Sequence, residues 1–201
     1  MSYSGLILDF GGVVTTDFYG ALSAFCVREG LPSDAVIQTI RTAEGREALA
    51  GAETGQLPQR TWEITLGKLL GLDDHGLLGR ALADLHPRPE VQALAREARA
   101  AGISTAILSN SWGEGDYDPY ADYDLDSDYD AVIISDRVGL RKPGREIYLL
   151  TASKLGLPPE QCVFVDDSAA NLPVARELGM ATVHFLGSEQ LPEIRELVSL
   201  G

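Results

Sequence analysis

Four groups of reactive side chains in this sequence each follow a short apolar run. They are Asp9, Ser109 with Asn110, Arg141 with Lys142, and Asp166 with Asp167. If the apolar runs are parallel strands of one sheet, their carboxyl ends lie at one edge and these side chains meet in one crevice. Carboxylates packed this closely repel one another unless a cation neutralises them. Oxygen ligands without His or Cys favour Mg²⁺, and a hard cation beside a lysine and a hydroxyl suits a phosphoryl group.

The apolar runs have the composition of buried strands. They are LILD (6–9), STAILS (104–109), AVIIS (131–135), CVFVD (162–166) and ATVHF (181–185). Such nearly continuous runs are typical of strands that are covered on both faces. Helical patterns lie between most of them, at 89–102, 144–156 and 168–179, and each ends in glycine. This alternation predicts an α/β fold with a parallel, doubly wound sheet.

A long segment without any strand signal interrupts this alternation after the first run. It extends from 17 to 86 and contains four helical patterns, whereas a βα loop usually has about 2–6 residues. We therefore predict a core formed by 1–16 and 87–201, with a helical cap formed by 17–86. Within the cap, Ser33 and Asp73 are the predicted helix caps, and Gly30, Gly51 and Gly71 the predicted helix ends.

Composition and charge exclude several function classes. The formal net charge is −14, which argues against nucleic-acid binding, because that needs clustered Lys and Arg. No stretch holds 18 uninterrupted apolar residues, so no membrane span is expected. The first residues, MSYSGLILDF, lack the basic region of a signal peptide. With Cys26 and Cys162 as the only cysteines, we predict reduced thiols and a cytoplasmic protein.

Four motifs, taken in order, resemble those of the haloacid dehalogenase (HAD) superfamily. LILDFGGVV is similar to its first motif, AILSNS to its second, RKPGREIY to its third and VFVDDSAAN to its fourth. The inserted helices resemble the cap of its first cap class. The resemblance implies a Rossmann-like, three-layer parallel-sheet core with an inserted α-helical cap. It also implies a phosphohydrolase that acts on a small phosphorylated metabolite, such as a sugar phosphate.

The resemblance assigns a nucleophile and a metal site. Asp9 would attack phosphorus and form an aspartyl-phosphate, which splits one difficult step into two. Its other oxygen would bind Mg²⁺, together with the backbone carbonyl of Gly11. Asp167 would be the nearest ligand from the fourth motif, and Asp166 would bind directly or through water.

The same resemblance assigns the groups that hold the phosphate. Ser109 and Asn110 would hydrogen-bond the phosphoryl oxygens, and Lys142 would neutralise charge in the transition state. Gly12 keeps the loop after the first strand tight and lets backbone N–H groups face the phosphate.

The first motif departs from the pattern that the resemblance leads us to expect. Active phosphatases of the superfamily usually read DxDx[TV], but this chain has Asp9, Gly11 and Val13. The second aspartate normally protonates the leaving oxygen, and a positioned acid–base group contributes about 10²–10⁴ in rate. Glycine cannot do this.

Three interpretations of Gly11 stay open. In the first, the protein is a phosphatase in which Asp17 or water replaces the acid, or whose substrate has a good leaving group, such as an anomeric sugar phosphate. In the second, it cleaves a carbon–halogen bond, because halide leaves without a proton. That branch needs no Mg²⁺ and generally lacks the paired acids, so Asp166 and Asp167 argue against it. In the third, it is a weakly active or non-catalytic binding or regulatory protein.

An acidic, tyrosine-rich segment joins the second and third apolar runs. Its acids are Glu114, Asp116, Asp118, Asp122, Asp124, Asp126, Asp128 and Asp130. An EF-hand is rejected, because a loop starting at Asp122 has Ser127 and Ile133 where glycine and glutamate are needed. A solvated acidic loop is the plain interpretation. Its interleaved tyrosines, Tyr117, Tyr120, Tyr123 and Tyr129, suggest a self-contact, and so a homodimer, or a contact with a partner.

Overall fold

The sheet has five parallel strands in the order β3-β2-β1-β4-β5, in a computed structural model that describes residues 2–113 and 115–200. The strands are β1 (Gly5–Leu8), β2 (Ser104–Ser109), β3 (Ala131–Ile134), β4 (Cys162–Asp166) and β5 (Ala181–His184). Leu8 in the central strand lies opposite Ile107 of β2 and Val165 of β4. The predicted parallel α/β sheet is confirmed, and each strand agrees with its apolar run to within one residue at either end.

Five helices follow β1 and pack around a hydrophobic cluster of their own. They are α1 (Phe18–Arg28), α2 (Ala35–Arg41), α3 (Ala43–Glu53), α4 (Gln59–Leu70) and α5 (Leu77–Ala81). Phe25, Trp62, Leu66 and Leu77 are fully buried in this cluster. We call this segment the helical cap.

The remaining helices belong to the core. They are α6 (Pro89–Ala100), α7 (Leu125–Asp128), α8 (Ser135–Val138), α9 (Arg145–Lys154), α10 (Leu172–Glu177) and α11 (Leu191–Leu197). One hydrophobic cluster joins Leu6 and Leu8 to α6 and α11, and another joins Ile7 to α9 and α10. Because alternate residues of β1 enter opposite clusters, the core has the three layers predicted for it.

The two chain segments that connect cap and core lie side by side. Thr15 and Pro87 form an antiparallel bridge, and the N–H of Thr16 donates to the carbonyl of His86 at 2.8 Å. This pairing is consistent with a division at 16 and 87, which stays a prediction.

The helical cap differs from its predicted pattern at three points. A single helix was expected through 33–51, but the chain breaks at Thr42, which has extended angles (φ −65°, ψ 163°) and whose hydroxyl accepts the N–H of Gly45. Ser33 does not cap α2, which follows Asp34, and Gly51 lies inside α3. Local hydrogen bonding by Thr42 competes with the helix and divides it. Gly71 ends α4 in the left-handed region, as predicted.

Asp73 is also not a helix cap. Its carboxylate accepts the N–H of His75, and α5 begins only after Gly76, which has positive φ. The acid therefore closes a turn ahead of the helix.

The acidic segment is mostly loop, and its tyrosines pack inside the protein. Glu114 lies outside the described residues. Tyr120 and Tyr129 are buried in the core, and Tyr123 packs edge-on against Phe10 with ring centroids 4.8 Å apart. Tyr117 packs against the hydrophobic cluster of the helical cap. The apolar surface of these tyrosines is thus used largely within the chain, and their contact with a second copy or a partner stays a prediction.

Among the residues that the structure describes, none of the helices combines the length and apolar character needed to cross a membrane.

Candidate active site

Asp9 stands at the carboxyl end of the central strand, at the start of a wide turn. The turn comprises Phe10–Val14 and closes with a hydrogen bond from the N–H of Thr15 to the carbonyl of Phe10. Gly12 in this turn has a positive φ of 76°, and a Cβ there would lie 2.1 Å from Oδ2 of Asp167. Only glycine satisfies both the backbone angle and this close approach.

The N–H of Gly12 is used inside the turn. It donates to the hydroxyl of Thr15 at 3.1 Å, and the prediction that Gly12 lets backbone N–H groups face a phosphate stays a prediction. Gly12 thus brings the turn close to Asp167 but its N–H is already used within the turn.

Three carboxylates converge at this edge of the sheet. Asp9, Asp166 and Asp167 each offer an oxygen within 4.8 Å of the others. Burial, reinforced by the charge of Asp166, raises the pKa of Asp9 well above its ordinary value. Burial and Asp166 likewise raise the pKa of Asp167 to about 7. Burial first, and then repulsion between neighbouring carboxylates, thus disfavours the charged forms of Asp9 and Asp167.

Lys142 is the cation that links two of these acids. Its Nζ lies 2.7 Å from Oδ1 of Asp9 and 2.7 Å from Oδ2 of Asp166, and the residue is only 1% exposed. Burial by itself lowers the pKa of the Lys142 ammonium, but the two adjacent carboxylates outweigh burial and raise it. Lys142 is therefore held charged against Asp9.

Asp166 and Asp167 have different surroundings. Oδ1 of Asp166 accepts the N–H of Ser168 at 2.8 Å, Oδ2 accepts Lys142, and the amide of Asn171 donates to both oxygens at 3.0 Å. Asp166 is thus occupied in orienting Lys142. Asp167 is only half-buried and lines the cavity above Asp9, which we call the main cavity. It is therefore the more available of the two for a cation.

Ser109 and Asn110, the polar residues of the second motif, have different surroundings. Oγ of Ser109 is paired with the hydroxyl of Tyr120 at 2.8 Å, and Ser109 lines a small side cavity of about 60 Å³. Asn110 lines the main cavity and brackets the backbone of Lys142, because Oδ1 accepts its N–H at 2.9 Å and Nδ2 donates to its carbonyl at 3.1 Å. Asn110 therefore positions the lysine, which sequence reasoning did not foresee.

Gly11 occupies the place of the absent acid, and its backbone does not require glycine. Its angles are φ −65° and ψ 128°, which any residue adopts. A Cβ at Gly11 would contact the ring of Phe18 at 3.4 Å. Asp17, the predicted substitute for the acid, caps α1 by accepting the N–H of Gly20 at 2.9 Å. An aromatic ring therefore faces the position from which a proton donor would act.

The main cavity has a volume of about 280 Å³ and lies between core and helical cap. Glu53 at the end of α3 forms an ion pair with Arg141 at 2.5 Å and accepts the amide of Asn110 at 3.4 Å. Burial raises the pKa of Glu53, although Arg141 opposes the shift. Glu53 thus joins the helical cap to Asn110, which follows β2, and to Arg141. The sequence held no local signal for this contact.

Three comparisons place the chain among known proteins. Mouse bifunctional epoxide hydrolase 2 is 37% identical over 100 residues, which are 48% of this chain and 18% of that protein. The chain thus matches less than a fifth of that relative's length. The sesquiterpene phosphatase astK of Aspergillus oryzae is 22% identical over 204 residues, covering 98% of this chain and 97% of that protein.

Solved structures share the fold over nearly the whole chain. The HAD family enzyme bt-2542 of Bacteroides thetaiotaomicron, in complex with magnesium and inorganic phosphate, superposes with a TM-score of 0.69 at 19% identity. The alignment covers 96% of this chain and 99% of that one. A family model described as a haloacid dehalogenase-like hydrolase matches residues 3–179. The chain therefore belongs to the haloacid dehalogenase-like hydrolases.

Proposed function

We propose that this hydrolase is a Mg²⁺-dependent phosphatase that cleaves a small phosphate monoester through Asp9. The observation that carries the proposal is the convergence of three carboxylates within 4.8 Å around one buried lysine. The phosphatase from Aspergillus and the magnesium and phosphate bound to the Bacteroides enzyme support it by analogy of sequence and fold.

The donor set fits a divalent cation. Carboxylate oxygens are the ligands that Mg²⁺ prefers, and three carboxylates converge here beside one lysine that contacts two of them. Gly12 supplies the space into which Asp167 fits. The proposed ligands are Asp9 and Asp167, with the carbonyl of Gly11 and with Asp166 directly or through water. When bound, Mg²⁺ supplies positive charge to the phosphoryl oxygens.

The residues of the chain divide the remaining work. Asp9 attacks phosphorus and carries the phosphoryl group until water releases it. Lys142 and the N–H of Phe10 both contact Oδ1 of Asp9, so Oδ2 is the proposed attacking atom. Lys142 neutralises charge that develops in the transition state, and Ser109 and Asn110 are the proposed ligands of phosphoryl oxygens.

Two other interpretations remain as outcomes of the test. A weakly active or non-catalytic regulatory protein is compatible with Gly11. A 2-haloacid dehalogenase is disfavoured by the paired acids Asp166 and Asp167. The cytoplasmic location and the homodimer stay predictions, as does the absence of nucleic-acid partners.

A substrate panel with and without Mg²⁺, beside an Asp9→Asn variant, tests the proposal. We expect phosphate release that requires the metal and falls by at least about 10³-fold in the variant, because the nucleophile is lost. Halide release from 2-haloacids without metal would support the dehalogenase. A folded protein with neither activity would support the binding protein.

A further inference from the structure

We infer that the substrate is the phosphate ester of a compact phenol, with an apolar and uncharged aromatic ring as its organic part. This inference rests on the proposed function and specifies the substrate class of the same site. It departs from the sugar phosphate expected from the sequence. Two independent observations carry it: the composition of the cap wall and the surroundings of Gly11.

The cap wall, which is the cap side of the main cavity, is mostly apolar. Its apolar members are Phe18, Ile37, Ile40 and Leu49, and Trp112 from the core adjoins them. The rings of Phe18 and Trp112 meet edge to face with centroids 5.7 Å apart. Such a wall favours an aromatic or aliphatic group, whereas a sugar would leave its hydroxyls without partners.

The polar groups beside this wall already have partners. Glu53 is paired with Arg141 and accepts the amide of Asn110. Among the described residues that line the cavity, Arg141 and Lys142 are the only cations, and each is paired with carboxylates. A second phosphate or a carboxylate on the substrate would therefore compete with these carboxylates for the two cations, which argues against nucleotides and bisphosphates.

The surroundings of Gly11 restrict the leaving group. Gly11 carries no acid, the ring of Phe18 lies beside the place where its side chain would begin, and Asp17 is engaged at the start of α1. A leaving oxygen that receives no proton must be a stable anion. A phenolate meets this requirement and its ring is apolar, whereas the alkoxide of an ordinary alcohol is a far stronger base.

The reaction balances without any further reagent. A carboxylate oxygen of Asp9 bonds to phosphorus while the bond from phosphorus to the phenolic oxygen breaks. The electron pair departs with the phenolate, which takes a proton from water afterwards. Water then hydrolyses the aspartyl-phosphate, which yields inorganic phosphate and restores Asp9. The cavity volume of about 280 Å³ lies just below the usual range for ligand pockets, which is about 300–1,000 Å³, and suits a single ring.

Three phosphate esters with rings of similar size test the apolar wall and the missing acid separately. Phenyl phosphate and cyclohexyl phosphate are similar in size and apolarity, but only the first has a good leaving group. Glucose 6-phosphate has a ring of similar size that is polar. We expect kcat/KM for phenyl phosphate to exceed that for cyclohexyl phosphate by at least about 10²-fold, because no acid assists departure. We expect cyclohexyl phosphate to exceed glucose 6-phosphate by about tenfold, because the wall is apolar.

Acetyl phosphate distinguishes failure of this inference from failure of the proposed function. It has a good leaving group and almost no organic part, so it reports on the Asp9 centre alone. If acetyl phosphate is hydrolysed while glucose 6-phosphate or glucose 1-phosphate matches or exceeds phenyl phosphate, the inference is wrong and the phosphatase stands. If no ester or acetyl phosphate is hydrolysed by the folded protein with Mg²⁺, both are wrong.

A matched pair of cap variants tests the apolar wall. Ile40 lines the cavity, whereas Ile64 is exposed elsewhere on the cap. The quantity compared is the ratio of kcat/KM for phenyl phosphate to kcat/KM for acetyl phosphate. We expect this ratio to fall about tenfold in Ile40→Asn and to stay unchanged in Ile64→Asn. An unchanged ratio in Ile40→Asn would show that the cap wall does not select an apolar substrate. Leu49→Asn, also on the wall, serves as a second variant if the first does not fold.

Discussion

The two walls of the cavity are built on different principles. On the core wall, which is the side of the cavity formed by the edge of the sheet, Lys142 contacts two carboxylates. Asp166 there receives hydrogen bonds at both oxygens. On the cap wall, apolar side chains face the same space, and one ion pair, between Glu53 and Arg141, connects it to the core. Removing one charge from such a network leaves its partners unpaired, so the whole site is disturbed. Changing one side chain of an apolar wall alters the binding of a substrate by only a small amount. The core wall should therefore govern turnover of every substrate, and the cap wall the choice among substrates.

The largest effect should come from removing the buried lysine. In Lys142→Met we expect kcat/KM to fall about 10²–10³-fold for all esters, since the transition state loses a preorganised charge. We also expect the free energy of unfolding to fall by about 3 kcal/mol, because breaking a buried ion pair leaves uncompensated carboxylates. Kinetics and urea unfolding check the two expectations.

Lys68→Met is the matched control, because Lys68 pairs with Glu44 on the surface, with its side chain 74% exposed. It should alter neither quantity appreciably. If the two variants behave alike, the core wall is not the interdependent network described above.

An intermediate effect should follow from Gly12→Ala. The methyl group would lie 2.1 Å from Oδ2 of Asp167, so Asp167 must move away from the carboxylate group. We expect the Mg²⁺ concentration for half-maximal activity to rise about tenfold. This is the low end of the loss in metal affinity that follows when residues orienting metal ligands are changed. Titration of activity with Mg²⁺ measures this shift.

Gly30→Ala separates crowding from backbone strain. Gly30 also has positive φ, at 75°, but its Cβ would meet nothing within 4 Å. Both variants should lose about 1–2 kcal/mol of stability, yet only Gly12→Ala should change the Mg²⁺ dependence. An equal change in both would refute the role of the close approach to Asp167.

The smallest effect should come from the contact that joins the walls. In Glu53→Gln the carboxylate charge opposite Arg141 is removed, while the contact with the amide of Asn110 can persist. We expect KM to rise a few-fold with kcat nearly unchanged, because the reacting groups on the core wall keep their partners. Glu44→Gln, at the exposed pair with Lys68, should leave KM unaltered. A large fall in kcat would instead assign Glu53 to the chemistry.

The core wall was more predictable from the sequence than the cap wall, for a physical reason. Buried parallel strands are continuous apolar runs, so their ends, and with them Asp9 and Asp166, are visible in the sequence. The topology then brings these ends together without further information. The roles of these residues remain predictions, whereas their convergence is a feature of the fold.

Contacts between distant segments left no such signal. Glu53 and Arg141 meet only because α3 is set above the loop after β3, and neither lies in a pattern that predicts its partner. Tyr120 reaches Ser109 from an acidic loop that has no periodicity. Gly12 suggested a turn, but the need for glycine becomes clear only when Asp167 is placed beside it. Packing between elements decided each of these cases.

Covalent trapping at Asp9 tests the phosphatase most directly. The protein is mixed with radiolabelled phenyl phosphate or acetyl phosphate and Mg²⁺, quenched rapidly in acid and digested, and the labelled peptide is sequenced. The account predicts label on the peptide that contains Asp9, lost on mild base treatment as expected for an acyl phosphate, and absent from folded Asp9→Asn. Label on another residue, or Mg²⁺-dependent turnover that persists in Asp9→Asn, would contradict it.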